Sequence, residues 1–133
     1  MNNSTIKSID GPYCREAIYA TLAIDTPKFS SEENAILIFA LIHLGPSKPL
    51  DILYKIFDTT RPLTTREEAA AVKTMIQSFI KPLISARIVT KSNDLYYLSD
   101  KFLKAYNTYY EGFIAFEKAG IIMLAKEMHW YVS

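Results

Sequence analysis

Apolar positions recur along most of the chain at the three- and four-residue spacing of helices. Proline, glycine and short polar clusters mark the breaks between them. Residues 1–11 are polar, end at Gly11-Pro12 and read as a flexible tail. Residues 12–24 suit a short helix with Ile18, Tyr19 and Leu22 on one side, and Pro12 stands where a first-turn proline is tolerated. Asp25-Thr26-Pro27 breaks it. Ser30-Ser31-Glu32-Glu33 opens a second helix, in which Ser30 and Glu33 have capping-box spacing. This helix runs to about Leu44, stops at Gly45-Pro46, and is apolar nearly all round, the pattern of a central buried helix. Pro49 begins a third helix with Ile52, Leu53, Ile56 and Phe57 apolar. Residues 58–63 form a loop containing Pro62.

Thr64-Thr65-Arg66-Glu67-Glu68 carries two overlapping capping boxes, and the helix behind it extends to about Ala86. At 100° per residue, Ala69, Val72, Met75, Ile76, Phe79, Ile80, Leu83 and Ile84 share one half of the wheel. Glu67, Ala70, Ala71, Thr74, Gln77, Ser78, Lys81 and Ser85 share the other. Pro82 falls inside this pattern and predicts a kink or a lost hydrogen bond. The β-prone runs 87–91 and 95–98, joined by Ser92-Asn93-Asp94, predict a hairpin. Ser99 and Asp100 then cap a long helix in which Phe102, Tyr106, Tyr109, Phe113 and Phe116 recur at alternating steps of four and three. Gly120 is a candidate break before a last helical piece, 121–130.

The chain's 133 residues suit one domain, and its composition, half apolar and 22% charged, excludes a disordered protein. The single cysteine, Cys14, excludes an internal disulfide and any zinc site needing two cysteines. The longest apolar run, residues 35–42, is far short of the ~20 residues of a membrane-spanning helix. These features predict a soluble, cytoplasmic protein with no membrane association. The formal charge is only +1, but it is unevenly spread: −2 over residues 1–60, +4 over 61–104 and −1 over 105–133. The basic excess falls on the capped helix and the hairpin.

The succession of helix, helix, long helix, hairpin and capped helix resembles the winged helix-turn-helix superfamily, and looks most like bacterial and archaeal regulators of the MarR or PadR type. The resemblance covers roughly residues 32–110. Its most specific part is Leu83-Ile84-Ser85-Ala86-Arg87-Ile88-Val89, followed by Lys91-Ser92-Asn93-Asp94 and Leu95-Tyr96-Tyr97-Leu98. It implies a mainly α (α+β) fold: a single winged-helix domain over 12–133, with its core at 30–98, an extra N-terminal helix, and a helical extension over 99–133. Two positions depart from the pattern. Arg87 stands where the turn usually holds glycine, and Pro82 lies in the last turns of the recognition helix.

By this resemblance, residues 70–82 form the recognition helix. Lys73, Thr74, Gln77, Ser78 and Lys81 would face the major groove, where Gln can pair with adenine and Lys with guanine or phosphate. Lys91, Ser92 and Asn93 at the hairpin tip would reach phosphates or a minor groove. A solvated helix face and an exposed hairpin carry the same residue types, and Glu67, Glu68 and Asp94 would repel DNA locally. The seam Phe102, Tyr106, Tyr109, Phe113 and Phe116 has two readings: packing against the first helix, or a homodimer interface matching a palindromic operator. Tyr96, Tyr97, Tyr109 and Tyr110 offer stacking surfaces or half-buried core.

Catalytic chemistry finds little footing. His43 lies on the apolar second helix and His129 near the end beside Trp130, with no His-Glu-x-x-His run. The four glycines are too dispersed for a phosphate-binding loop, and the Glu32-Glu33 and Glu67-Glu68 pairs are explained by helix starts. No enzymatic role, cofactor or metal is therefore expected, and the winged-helix resemblance implies a regulator that binds double-stranded DNA by occupying an operator. The alternative is a winged-helix or helical-bundle protein-interaction module that binds or inhibits a polymerase or another cellular machine without direct DNA readout; a protein partner in the transcription machinery is one such case.

Overall fold

In a computed structural model the chain is described over residues 13–57 and 63–132, with side chains as far as residue 120. The proposed tail 1–11, Pro12, most of the 58–63 loop and the side chain of His129 lie outside the described residues. The fold is mainly helical with one small antiparallel sheet. Its elements are α1 (Cys14–Asp25), α2 (Glu32–Leu44), α3 (Pro49–Ile56), α4 (Thr65–Met75), α5 (Lys81–Ser85), β1 (Val89–Ser92), β2 (Leu95–Leu98) and α6 (Asp100–Val132).

α1 buries Cys14, Ala17, Ile18, Thr21 and Leu22, the stripe of a helix lying on a core. The buried Thr21 hydroxyl donates to the Ala17 carbonyl at 2.6 Å, which satisfies it without a partner from another element. A 3-10 turn, Pro27–Phe29, follows. This turn shifts the expected start of α2. The Ser30 hydroxyl donates back to the Pro27 carbonyl at 2.8 Å, so Ser31 becomes the cap and accepts from the Asn34 N–H at 3.2 Å. The Ser30–Glu33 capping box is therefore not formed. α2 ends at Gly45, whose φ of 71° is open to glycine without steric cost.

α2 is central, as its composition predicts, but not closed all round. Leu37, Ile38, Leu41 and Ile42 are in the core, while Ile36 and Phe39 remain exposed. α3 starts on Pro49 and buries Ile52 and Leu53. Phe57, just past its end, is exposed.

The Thr64–Glu67 capping box is complete: the Thr64 side chain accepts from the Glu67 N–H at 3.1 Å, and the Glu67 carboxylate accepts from the Thr64 N–H at 2.9 Å. α4 passes through a π-helical turn, Ile76–Ile80, into α5. Pro82 explains the widened turn. It has no N–H to give, and its ring crowds the carbonyl four residues back, so the helix relaxes just before it instead of breaking.

α5 ends in a Schellman motif. The Ile88 N–H reaches the Leu83 carbonyl at 2.9 Å and the Arg87 N–H reaches that of Ile84 at 3.0 Å, with Leu83 and Ile88 both buried. Arg87 occupies the left-handed position of this motif at φ 62°, where glycine would be free of Cβ strain. The Ser99 hydroxyl donates to the Arg87 carbonyl at 2.6 Å and accepts from the Phe102 N–H at 3.1 Å, so one side chain fixes the turn and caps α6.

β1 and β2 pair from Val89 with Leu98 to Ser92 with Leu95, leaving Asn93-Asp94 as a two-residue loop with Asn93 at φ 57°. The other edge of β2 is also used. Ser47 and Tyr96 exchange backbone hydrogen bonds at 2.9 and 2.8 Å, which ties the α2–α3 connection to the hairpin. α6 runs 33 residues, about 50 Å, without a break at Gly120. Its first turns bury Phe102, Leu103, Tyr106 and Tyr110, and α1 packs against it.

Candidate nucleic-acid interface

The capping box fixes where α4 begins, and the buried Met75, Ile80 and Leu83 fix which side of the α4–α5 rod faces the core. Lys73, Thr74, Gln77, Ser78 and Lys81 are consequently all exposed, as the wheel predicts. Lys91, Ser92 and Asn93 are exposed at the end of the hairpin.

These residues do not form one undivided surface. Thr74, with Ala70 and Glu67, lines a groove between α4 and the α2–α3 pair. Ala69, Val72 and Ile76 line a separate cleft of about 640 Å³ that lies between α4, the start of α3 and the hairpin. Lys73, Gln77 and Lys81 line neither one. Lys91 belongs to the hairpin cleft, its Nζ 5.7 Å from the ring centre of Tyr96, which holds the ammonium by cation–π attraction.

Sequence reasoning missed Lys48, which lines the same cleft. The Ser47–Tyr96 pairing sets the residue before Lys48 against the hairpin, and a single-residue bridge leaves no periodic trace in a sequence. The cleft also holds Glu68 and Asp94, so its two lysines face two carboxylates. Glu68 is engaged elsewhere as well: the Tyr54 hydroxyl donates to it, joining α3 to α4. That hydrogen bond, followed by burial, raises the Tyr54 pKa above the ordinary tyrosine value.

The aromatic seam is largely used within the chain. Phe102 and Tyr106 are in the core, Tyr106 fully so. Burial, assisted by a hydrogen bond with Cys14, pushes the Tyr106 phenol far up. The Tyr109 hydroxyl donates to the Asp25 carboxylate at 3.2 Å, and Phe113 stacks on Tyr13 with ring centres 5.7 Å apart. Burial also raises Tyr13 and Tyr109, with Glu117 and Asp25 respectively adding to the shift. Phe116 alone of the five stands open, 78% exposed. Of the tyrosines considered for base stacking, Tyr96 and Tyr110 are buried. His43 is half-buried with its ring 4.3 Å from that of Phe39.

Among the described residues, no three His, Cys, Asp or Glu side chains gather as a metal site would require, and no helix is long and apolar enough to cross a membrane. Comparison with protein families, characterised proteins and solved structures yields no match for this chain.

Proposed function

We propose that the chain is a winged helix-turn-helix protein that binds double-stranded DNA and regulates transcription by occupying an operator, as a homodimer. One observation carries the reading. The exposed Lys73, Gln77 and Lys81 belong to a helical rod that runs through one tight turn into a hairpin exposing Lys91, Ser92 and Asn93. A helix of that kind can enter a major groove while the hairpin reaches the flanking backbone. The left-handed Arg87 supports the family reading, because it adopts the backbone conformation that the family's glycine supplies. The Ser47 rung on β2 supports it too, since it makes the hairpin part of the helical body. In this reading Phe116 and the outer part of α6 pair the protomers, because Phe102 and Tyr106 are already committed to the core.

A second reading, a protein-docking module that binds or inhibits a polymerase or another cellular machine, is favoured by a specific feature. Glu68 and Asp94 interrupt the positive charge in the hairpin cleft, while Ile36, Phe39 and Phe57 leave apolar surface exposed on other elements.

Fluorescence-anisotropy titration at several salt concentrations separates the two. With mixed DNA, Lys81→Ala and Lys91→Ala should each weaken binding on all sequences and reduce the slope of log affinity against log salt by about one. On a selected site, Gln77→Ala should cost about 1–3 kcal/mol and leave non-specific binding nearly intact. No binding by micromolar protein at about 50 mM salt rejects the DNA reading and leaves the docking reading in its place.

A further inference from the structure

The backbone is fixed on both sides of Lys48. Before it, Ser47 is buried and exchanges two hydrogen bonds with Tyr96 of β2. The Ser47 hydroxyl also donates to the Gly45 carbonyl at 2.7 Å. After it, Pro49 disfavours helical backbone at the preceding residue, and Lys48 is accordingly extended at φ −77° and ψ 154°. The Lys48 carbonyl accepts from the Ile52 N–H at 3.2 Å, the first hydrogen bond of α3. The side chain is not used in this framework. It is exposed, caps nothing and forms no ion pair among the described residues.

That fixed position places Lys48 on the lining of the hairpin cleft together with Lys91. α4 contributes Ala69, Val72 and Ile76 to the same cleft, and Lys73 stands one turn beyond Ala69 on the adjoining exposed face. The cleft therefore sets two lysines along the edge of the face proposed to enter the major groove. Its carboxylates do not claim them. Glu68 accepts from the Tyr54 hydroxyl of α3, and Asp94 is exposed in the hairpin loop with no ion pair among the described residues. An unpaired ammonium on a fixed backbone suits a phosphate contact, which positions a duplex without reading its bases.

We infer that Lys48 is a further contact to the DNA backbone: with Lys91 it holds phosphates along the edge of the groove that α4 enters. The inference rests on the DNA reading above. It extends that footprint from the hairpin to the α2–α3 connection, and it makes Asp94 a repulsive neighbour of the same phosphates.

The test is a fluorescence-anisotropy titration of the full chain with a mixed-sequence duplex over a range of salt concentrations. Lys48→Ala should reduce the slope of log affinity against log salt by about one, as Lys91→Ala does, and the double variant should reduce it by about two. Lys48→Gln keeps the side-chain stem without the charge and should match Lys48→Ala, whereas Lys48→Arg should retain the parental slope. Lys28→Ala is the control. Lys28 precedes α2 and Lys48 follows it, about 20 Å away along that helix, so its loss should leave the slope unchanged. Asp94→Asn should tighten binding by about twofold. The inference is overturned if Lys48→Ala and Lys48→Gln keep the parental slope, if Lys28→Ala lowers it as much as Lys48→Ala does, or if Asp94→Asn weakens binding. In each of these cases the chain still binds DNA and the DNA reading stands. Absence of binding by the unaltered protein at about 50 mM salt overturns both, so the two failures are distinct.

Discussion

Two stripes of side chains at helical spacing meet opposite fates in this molecule. The polar stripe on the α4–α5 rod, Lys73 to Lys81, is exposed along its whole length. The aromatic stripe on α6 is divided: Phe102 and Tyr106 are buried, Tyr109 and Phe113 are half-buried against α1, and Phe116 stands in solvent. Helical periodicity says which residues share a face and nothing about what covers it. A polar face is content in water, so its exposure follows directly. An aromatic face must find apolar surface, and whether that surface comes from the same chain or another copy depends on where the other helices lie.

The sharpest test of this contrast compares the two ends of the aromatic stripe. Tyr106→Ala removes a fully buried ring and should destabilise the protein by about 3–5 kcal/mol in urea unfolding. Phe116→Ala should stay within about 0.5 kcal/mol for the monomer. If Phe116 lies between protomers, its substitution should instead abolish any concentration dependence of Tm. A cost at Phe116 matching that at Tyr106 would erase the distinction between the two ends.

Alkaline pH probes the same packing. Tyr13, Tyr54, Tyr106 and Tyr109 all have raised pKa values in the folded chain. Between the unfolded value of about 10 and the raised folded values, the unfolded chain loses protons that the native chain keeps. Stability is therefore fully present below about pH 10 and should fall as pH rises beyond it. Tyr106→Phe should flatten that fall more than Tyr109→Phe does, because Tyr106 is the most strongly shifted of the four. Equal flattening would mean that the α1–α6 contact buries both phenols alike.

At the start of the α4–α5 rod that carries the polar stripe, Thr64→Ala removes the acceptor for the Glu67 N–H and should cost about 1 kcal/mol. At its end, Arg87→Gly should raise stability by about 1 kcal/mol by relieving the left-handed residue. Thermal unfolding reads both. A loss at Arg87→Gly would show that the arginine side chain contributes more than its backbone strain costs.

Much of this architecture was legible because its causes are local. The Thr64–Glu67 box, the proline start of α3, the Asn93-Asp94 loop and the Ser99 cap each depend on residues within a few positions of one another. So does the exposure of Lys73, Gln77 and Lys81, which the buried half of the same helix dictates. The expected start of α2 at Ser30 was displaced by one residue, because the preceding 3-10 turn claims the Ser30 hydroxyl. The expected break at Gly120 did not occur, since one glycine weakens a helix without ending it.

What the sequence by itself determined is the set of helices and the hairpin, their caps and turns, and which residues share each face. These follow from steric preferences and hydrogen bonds within a turn or two of chain. Only the tertiary structure decided that Lys48 joins Lys91 in one cleft, that Thr74 faces a different groove from the hairpin, and that Tyr106 is core while Phe116 is not. Each of those outcomes depends on contacts between residues far apart in sequence, such as Ser47 with Tyr96 and Tyr13 with Phe113. Such contacts are selected by how whole faces pack against one another, and no local pattern encodes that choice.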